Sequence, residues 1–173
     1  MVDRLPDVTS DQWTVELASV NSPEALGLLR EYFVDVADRY FLLHDGRRAT
    51  TEEIETALVD SPSADLAPPT GVFLLGWHDA QLAGCAGLRL EENRTVELTR
   101  VFVRPAFRGT GGGRALLAAV DQTARNLGAT RIILDTRLDL TEARTLYTRT
   151  GYHEIPAYKQ DKYAEIWYSK PLV

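Results

Sequence analysis

The 173-residue chain is 45% hydrophobic and 25% charged, with 12 glycines and 8 prolines, a balance that fits one soluble globular domain over 1–173 and excludes a disordered or fibrous chain. No apolar run nears the length of a bilayer span, Met1–Asp7 has neither a basic nor an apolar signal region, and the lone cysteine, Cys85, rules out an intrachain disulfide and a Cys-rich metal site. The expectation is a cytoplasmic protein with no membrane partner, and a net charge of −6 speaks against a nucleic-acid partner.

Trp13 to Ala18 alternates as a first strand, and Ser22-Pro23 supplies an N-cap and an N1 proline for a helix over about 23–39. Its apolar residues Leu26, Leu29, Tyr32, Phe33 and Val36 recur at three- and four-residue spacing, which marks a core-facing stripe. Thr50 and Glu53 form a capping-box pattern that opens a second helix to about Val59, and the stretch Ser61 to Thr70 reads as a loop. Val72–Trp77 and Leu82–Leu90 form a hairpin about His78-Asp79-Ala80. Thr95–Val103 adds a third strand after the turn Glu91 to Arg94, and Pro105 stops it. A helix over 112–126 ends near Gly128, a short buried strand covers 131–135, and Asp139 with Glu142 caps a helix that ends at Gly151. A last strand lies near 165–169.

Two features stand out against this background. Five arginines and one carboxylate, Glu97, lie between Arg94 and Arg114, a basic strip in an acidic chain that suits a small polyanion. Four of the 12 glycines fall between Gly109 and Gly113, where a helix begins. Glycine in a helix costs about 1 kcal/mol relative to alanine, so the cluster calls for a cause. Close approach supplies one: without Cβ atoms, backbone N–H groups converge on an anion, reinforced by the helix dipole and by Arg108 and Arg114. A P-loop would need Lys followed by Ser or Thr after the glycines, where Arg114-Ala115 stands. A dinucleotide fingerprint would need a small residue at Arg114 and an early βαβ unit.

The pattern resembles the GNAT superfamily of acetyltransferases, whose central motif is Arg or Gln, two residues, Gly, one residue, then Gly or Ala. Arg108, Gly111 and Gly113 match it. Val101-Phe102-Val103-Arg104-Pro105 is similar to the family's strand end before that loop, and Ala143 to Tyr147 with Thr150-Gly151-Tyr152 to its later helix and cap. The order of elements also agrees. Ala67-Pro68-Pro69, Gly84-Cys85, Val96-Glu97-Leu98 and Glu154-Ile155-Pro156 resemble one group of bacterial members.

The resemblance implies an α/β (α+β) GNAT fold: a mixed central sheet with an antiparallel meander followed by βαβ elements, and helices on both faces. It implies acetyl-CoA as co-substrate and no metal. The pyrophosphate would lie on Arg108, Gly109, Thr110, Gly111, Gly112, Gly113 and Arg114. The pantetheine would run along Val101, Phe102 and Val103, with the Val101 N–H polarising the thioester carbonyl.

Glu97, eleven residues before Arg108, stands where the histone-acetylating branch carries its general base. An acceptor ammonium near pKa 10 must lose a proton before it attacks a thioester. The structural alternative is a strand carboxylate paired with Arg100 or Arg94. Tyr147 matches the family's general acid, although a phenol is a weaker acid than a thiol, so its help would be mainly a hydrogen bond to the thiolate. Its alternative is a core aromatic. Leu140 departs from the Asn that many members carry there. Cys85, mid-strand, reads as an inert buried thiol, and His44, His78 and His153 lack metal-ligand spacing.

The acceptor, a small-molecule or peptide amine, would be gripped by 32–48 and by the segment after Gly151. Asp35, Asp38, Asp45, Asp161, Tyr32 and Tyr158 are the candidates there, the two tyrosines being the named substrate-binding ones. Homodimers are common among such folds. The rival of another class is a non-catalytic acyl-CoA-binding module. Acetylation of aminoacyl-tRNA is disfavoured by the net charge.

Overall fold

The computed structural model describes residues 12–173, so the reading of Met1–Asp7 lies outside the described residues. The elements run β1 (Trp13–Ala18), α1 (Pro23–Asp45), α2 (Thr51–Asp60), β2 (Gly71–His78), β3 (Gln81–Glu91) and β4 (Thr95–Val103). They continue with α3 (Gly112–Asn126), β5 (Arg131–Thr136), α4 (Thr141–Arg149), β6 (His153–Ile155) and β7 (Ile166–Pro171).

The predicted helix starts form for the expected reasons. Ser22 Oγ accepts the Ala25 N–H at 3.2 Å with Pro23 behind it, and Thr50 and Glu53 make both bonds of the capping box. Three expectations are corrected. α1 continues past Arg39 to Asp45 and ends at Gly46, whose φ of 68° lets it close the last turn. Leu29 and Phe33 of the predicted stripe are buried, but Leu26 is 54% exposed and Ala25 and Leu28 take its place in the core. Asp139 does not cap α4: it pairs with Arg137 at 2.9 Å, and Leu140 holds the N-cap without a side-chain bond. The three-residue β6 is too short to leave a period-2 pattern.

The strands form one sheet in the order β1-β2-β3-β4-β5-β7-β6. All neighbours are antiparallel except β4 and β5. Alternation sends Leu74 of β2 to one face, under α3 and α4 with Leu116, Val120 and Ile132. Phe73 and Leu75 go to the other, under α1 with Leu28, Leu29 and Phe102. Cys85 is buried on that second face, which pushes its thiol up to about 12 and leaves it inert.

The parallel pair creates the site. β4 and β5 pair only between Thr95–Glu97 and Arg131–Ile133, whereas β3 stays paired with β4 as far as Val103. Beyond Glu97 the two strands part, and a cleft of about 1160 Å³ opens between them. The β3–β4 register also slips between Cys85 and Gly87, where Arg100 takes a φ of 57°. That conformation costs a side-chain-bearing residue about 1–2 kcal/mol. Its guanidinium is held over Phe33 at 5.0 Å and donates to Ser63 Oγ at 3.2 Å, contacts that offset the strain.

Candidate functional site

One wall of the cleft is the glycine loop at the start of α3, and its four glycines divide by cause. Gly109 and Gly111 take φ values of 79° and 92°, with open space where a Cβ would stand. Gly112 and Gly113 are packing positions. A Cβ on Gly112 would sit 2.3 Å from the Trp13 ring, and one on Gly113 would sit 2.7 Å from Leu146. A left-handed backbone therefore explains the first two, and packing explains the second two, contrary to the single cause expected. The basic strip also disperses. Arg104 grips Glu31 at 2.6 Å and Arg94 donates to the Gly128 carbonyl at 2.9 Å, leaving Arg100, Arg108 and Arg114 on the cleft. Arg108 donates to the Val103 carbonyl at 3.1 Å and lies 3.5 Å from Asp35, so it braces the strand end against the loop. Arg114 is exposed.

Of the residues singled out in the sequence, Glu97, Tyr147, Val101, Phe102, Val103, Arg108, Gly109, Gly111, Gly112, Gly113, Arg114 and Tyr32 all line this cleft. Thr110 and Tyr158 do not. The Thr110 hydroxyl donates to the Phe107 carbonyl at 2.5 Å and accepts from Trp13 Nε1 at 2.9 Å, which holds the loop's shape. Tyr158 reaches Glu97 instead of open space, donating to Oε2 at 2.8 Å, and that carboxylate together with burial holds its hydroxyl protonated.

Glu97 is 4% exposed and none of its partners is the Arg100 or Arg94 weighed from the sequence. Arg89 Nη1 donates to Oε1 at 2.8 Å, and Lys159 Nζ stands 2.9 Å from Oε2 beside the Tyr158 hydroxyl. Arg89 also grips Asp65 at 2.5 Å. Lys159 also reaches Asp135 at 3.5 Å. Burial raises the Asp135 carboxyl above the usual range, against the Lys159 charge that lowers it. Arg89, Lys159, Asp135 and Asp65 are thus site residues the sequence reading missed. Arg89 left no linear signal, because the β3–β4 register that sets it across from Glu97 belongs to the folded sheet. Lys159 had none either, since residues 156–165 link β6 to β7 without regular structure.

Tyr147, on α4, is 6% exposed and packs edge-on to Tyr152 at 5.5 Å. Its hydroxyl has no hydrogen-bond partner among the described residues, and burial raises its pKa above the usual phenol value. It lines the cleft opposite β4, so it is both a core aromatic and a free donor. Tyr32 packs against Phe33 at 5.2 Å and Phe102 at 6.3 Å. Leu140 lines the cleft near the start of α4 and offers no polar group. Among the described residues no helix is long and apolar enough to cross a membrane, and no group of His, Cys, Asp and Glu could hold a metal ion.

Residues 28–152 match the model of the acetyltransferase (GNAT) family. The chain is 33% identical over 87 residues to an uncharacterised N-acetyltransferase of Mycobacterium tuberculosis, covering 50% of this chain and 56% of that protein. It therefore spans little more than half the length of that relative. It is 31% identical over 111 residues to the type 1 aminoglycoside N(6')-acetyltransferase of Stenotrophomonas maltophilia, covering 60% of this chain and 68% of that one. The PaiA N-acetyltransferase of Thermoplasma acidophilum, solved with coenzyme A, superposes with a TM-score of 0.67 at 17% identity over 91% of this chain and 99% of that one. A GNAT acetyltransferase of Elizabethkingia anophelis with acetyl-CoA bound gives 0.60 at 20% identity over 94% and 100%.

Proposed function

Since the chain belongs to the GNAT acetyltransferase family, we propose that it transfers an acetyl group from acetyl-CoA to a primary amine by direct attack in a ternary complex. The observation that carries this reading is the cleft itself. A strand edge left unpaired beyond Glu97, a glycine loop opening α3, a buried carboxylate and a free phenol all face one space. The N–H groups from Gly109 to Arg114, at the positive end of α3, suit a pyrophosphate. The open edge of β4 suits an extended pantetheine, which would add to it as a strand does. The Val101 N–H would then donate to the thioester carbonyl, where negative charge builds as the amine attacks.

In this mechanism the nitrogen bonds to the acetyl carbon, the carbon–sulfur bond breaks, and the ammonium proton passes to Glu97 directly or through water. The Glu97 carboxylate lies between Arg89 Nη1 at 2.8 Å and Lys159 Nζ at 2.9 Å. Its part is to orient the ammonium and draw off the proton as the new bond forms. The thiolate leaves beside Tyr147, which offers a hydrogen bond. One relative is named for an aminoglycoside, an amine acceptor, which agrees with this reading; the acidic side chains that line the cleft, Glu52, Asp60 and Asp161, suit a cationic one.

The test is thiol release from acetyl-CoA across a panel of amines, alongside CoA binding by calorimetry. Turnover on at least one amine is expected, and CoA binding without turnover on any would identify an acyl-CoA-binding module instead. Glu97→Gln should lower kcat/KM by about 10²–10⁴, the usual range for a general base, and flatten its rise with pH. An unchanged pH profile would remove Glu97 from the proton path.

A further inference from the structure

The residues between β6 and β7, 156–165, form a strap across the acceptor half of the cleft. It is fastened by the Tyr158 hydroxyl on Glu97 at 2.8 Å, by the Tyr163 ring against Tyr40 of α1 at 5.2 Å, and at its far end by the Glu165 N–H on the Thr136 carbonyl at 3.0 Å. Between them Lys159 turns inward. Its ammonium lies 2.9 Å from Glu97 Oε2 and 3.5 Å from Asp135 Oδ2, one carboxylate from each side of the opening between β4 and β5. Burial pulls the Lys159 pKa down, but the Glu97 hydrogen bond and the charges of both carboxylates outweigh it, so the group stays an ammonium.

A carboxylate has about four lone-pair sites. Glu97 already gives Oε1 to Arg89, and Oε2 to Tyr158 and Lys159. Arg89 is a fixed donor, because its fork also holds Asp65 at 2.5 Å. Lys159 is the donor that can leave: it comes from a segment without regular structure and its side chain is 39% exposed. A primary ammonium on a flexible alkyl chain, paired with the candidate base, is also the chemistry of the acceptor that base would serve.

We propose that Lys159 is a tethered surrogate for the acceptor: its ammonium fills the Glu97–Asp135 position in the free protein, and an incoming primary ammonium displaces it. The inference rests on Glu97 being the acceptor-side carboxylate of the proposed reaction. It assigns Asp135 as a second contact for the substrate's charge, and it makes the strap a gate that opens only to a cation able to replace the lysine. A neutral compound of the same length leaves Lys159 in place.

The chain has three lysines, Lys159, Lys162 and Lys170, which makes the test direct and independent of turnover. The protein is reductively ¹³C-methylated and the Lys159 resonance is assigned through Lys159→Arg. It is then titrated with n-butylammonium chloride, with sodium chloride at equal ionic strength and n-butanol as controls. The Lys159 signal should move, saturably, toward that of the exposed Lys162 with butylammonium alone. A signal that follows the salt control, or that responds equally to butanol, overturns the proposal even if the enzyme is active. The kinetic counterpart is Lys159→Met. KM for an amine acceptor should fall several-fold, because a competitor has been removed. A fall in kcat would instead make Lys159 part of the catalytic machinery and overturn the surrogate reading. Absence of turnover with a saturable butylammonium response would count against the proposed reaction and leave the ammonium position standing.

Discussion

Tyr147 illustrates how far a single side chain's role depends on its surroundings. Burial raises its pKa further above that of a thiol, so full proton transfer to a departing thiolate is more unfavourable than for a free phenol. A hydrogen bond remains, worth about 0.5–1.5 kcal/mol. Tyr147→Phe should therefore lower kcat by about 2- to 12-fold, far less than Glu97→Gln, with both read by the same thiol-release assay; an equal loss would mean real proton donation. The sequence offered Glu97 by its spacing from Arg108 and Tyr147 by the resemblance of Ala143 to Tyr147 to the family's later helix, both linear properties. It could not name the Glu97 partners. A four-residue turn over 91–94 would have set Leu88 opposite Glu97, whereas the observed register puts Arg89 there. One residue of turn length reverses the face of every side chain beyond it.

At the scale of elements, the loop into α3 makes two predictions that separate its glycines. Gly111→Ala forces a side chain into a φ of 92°, at about 1–2 kcal/mol, and its methyl points into open space where an anion would come. Gly112→Ala drives a methyl into the buried Trp13 ring at 2.3 Å, an overpacking cost of about 1–3 kcal/mol. Melting curves and CoA calorimetry on both variants should show the larger loss of Tm for Gly112→Ala and the larger loss of CoA affinity for Gly111→Ala. The reverse order would mean that Gly111 serves only the turn. The caps of α1 and α2 were legible because each is a bond between residues three apart in sequence. The end of α1 was not. Tyr40 to Asp45 remain helical with Leu42 and Leu43 49% and 62% exposed, so no core stripe marks them.

At the scale of the whole molecule, ion pairs tie separate pieces across the cleft walls. Arg89 hydrogen-bonds Asp65 and holds its carboxyl below the usual range, fastening the 61–70 loop to β3, and Arg39 does the same to Glu142, fastening α1 to α4. Folded pKa values below the unfolded ones mean that the unfolded chain binds more protons as pH falls. The stabilisation is present above about pH 4 and is lost on further acidification. Asp135, raised by burial, acts in the opposite sense: its contribution is present below the unfolded value and is lost as pH rises through the folded one. With three carboxyls lowered among the described residues, Asp65, Glu142 and the Arg47-bonded Glu53, against Asp135 raised, Tm should fall between pH 5 and pH 3, to be followed by calorimetric melts, and Asp65→Asn should flatten that fall; an unchanged slope would exclude the Asp65 pair as its source.

By itself the sequence determined the order of the longer elements, the N-caps of α1 and α2, the alternation of the strands and the glycine motif at the start of α3. All of these rest on contacts within a few residues, or on periodicity that any stretch carries with it. Tertiary structure alone decided that β4 and β5 part after Glu97, that Arg89 and Asp65 flank the carboxylate, and that Lys159 arrives from 62 residues downstream (159 − 97) to fill it. Those depend on sheet register and on the path of an irregular loop, and neither leaves a periodic trace in the chain.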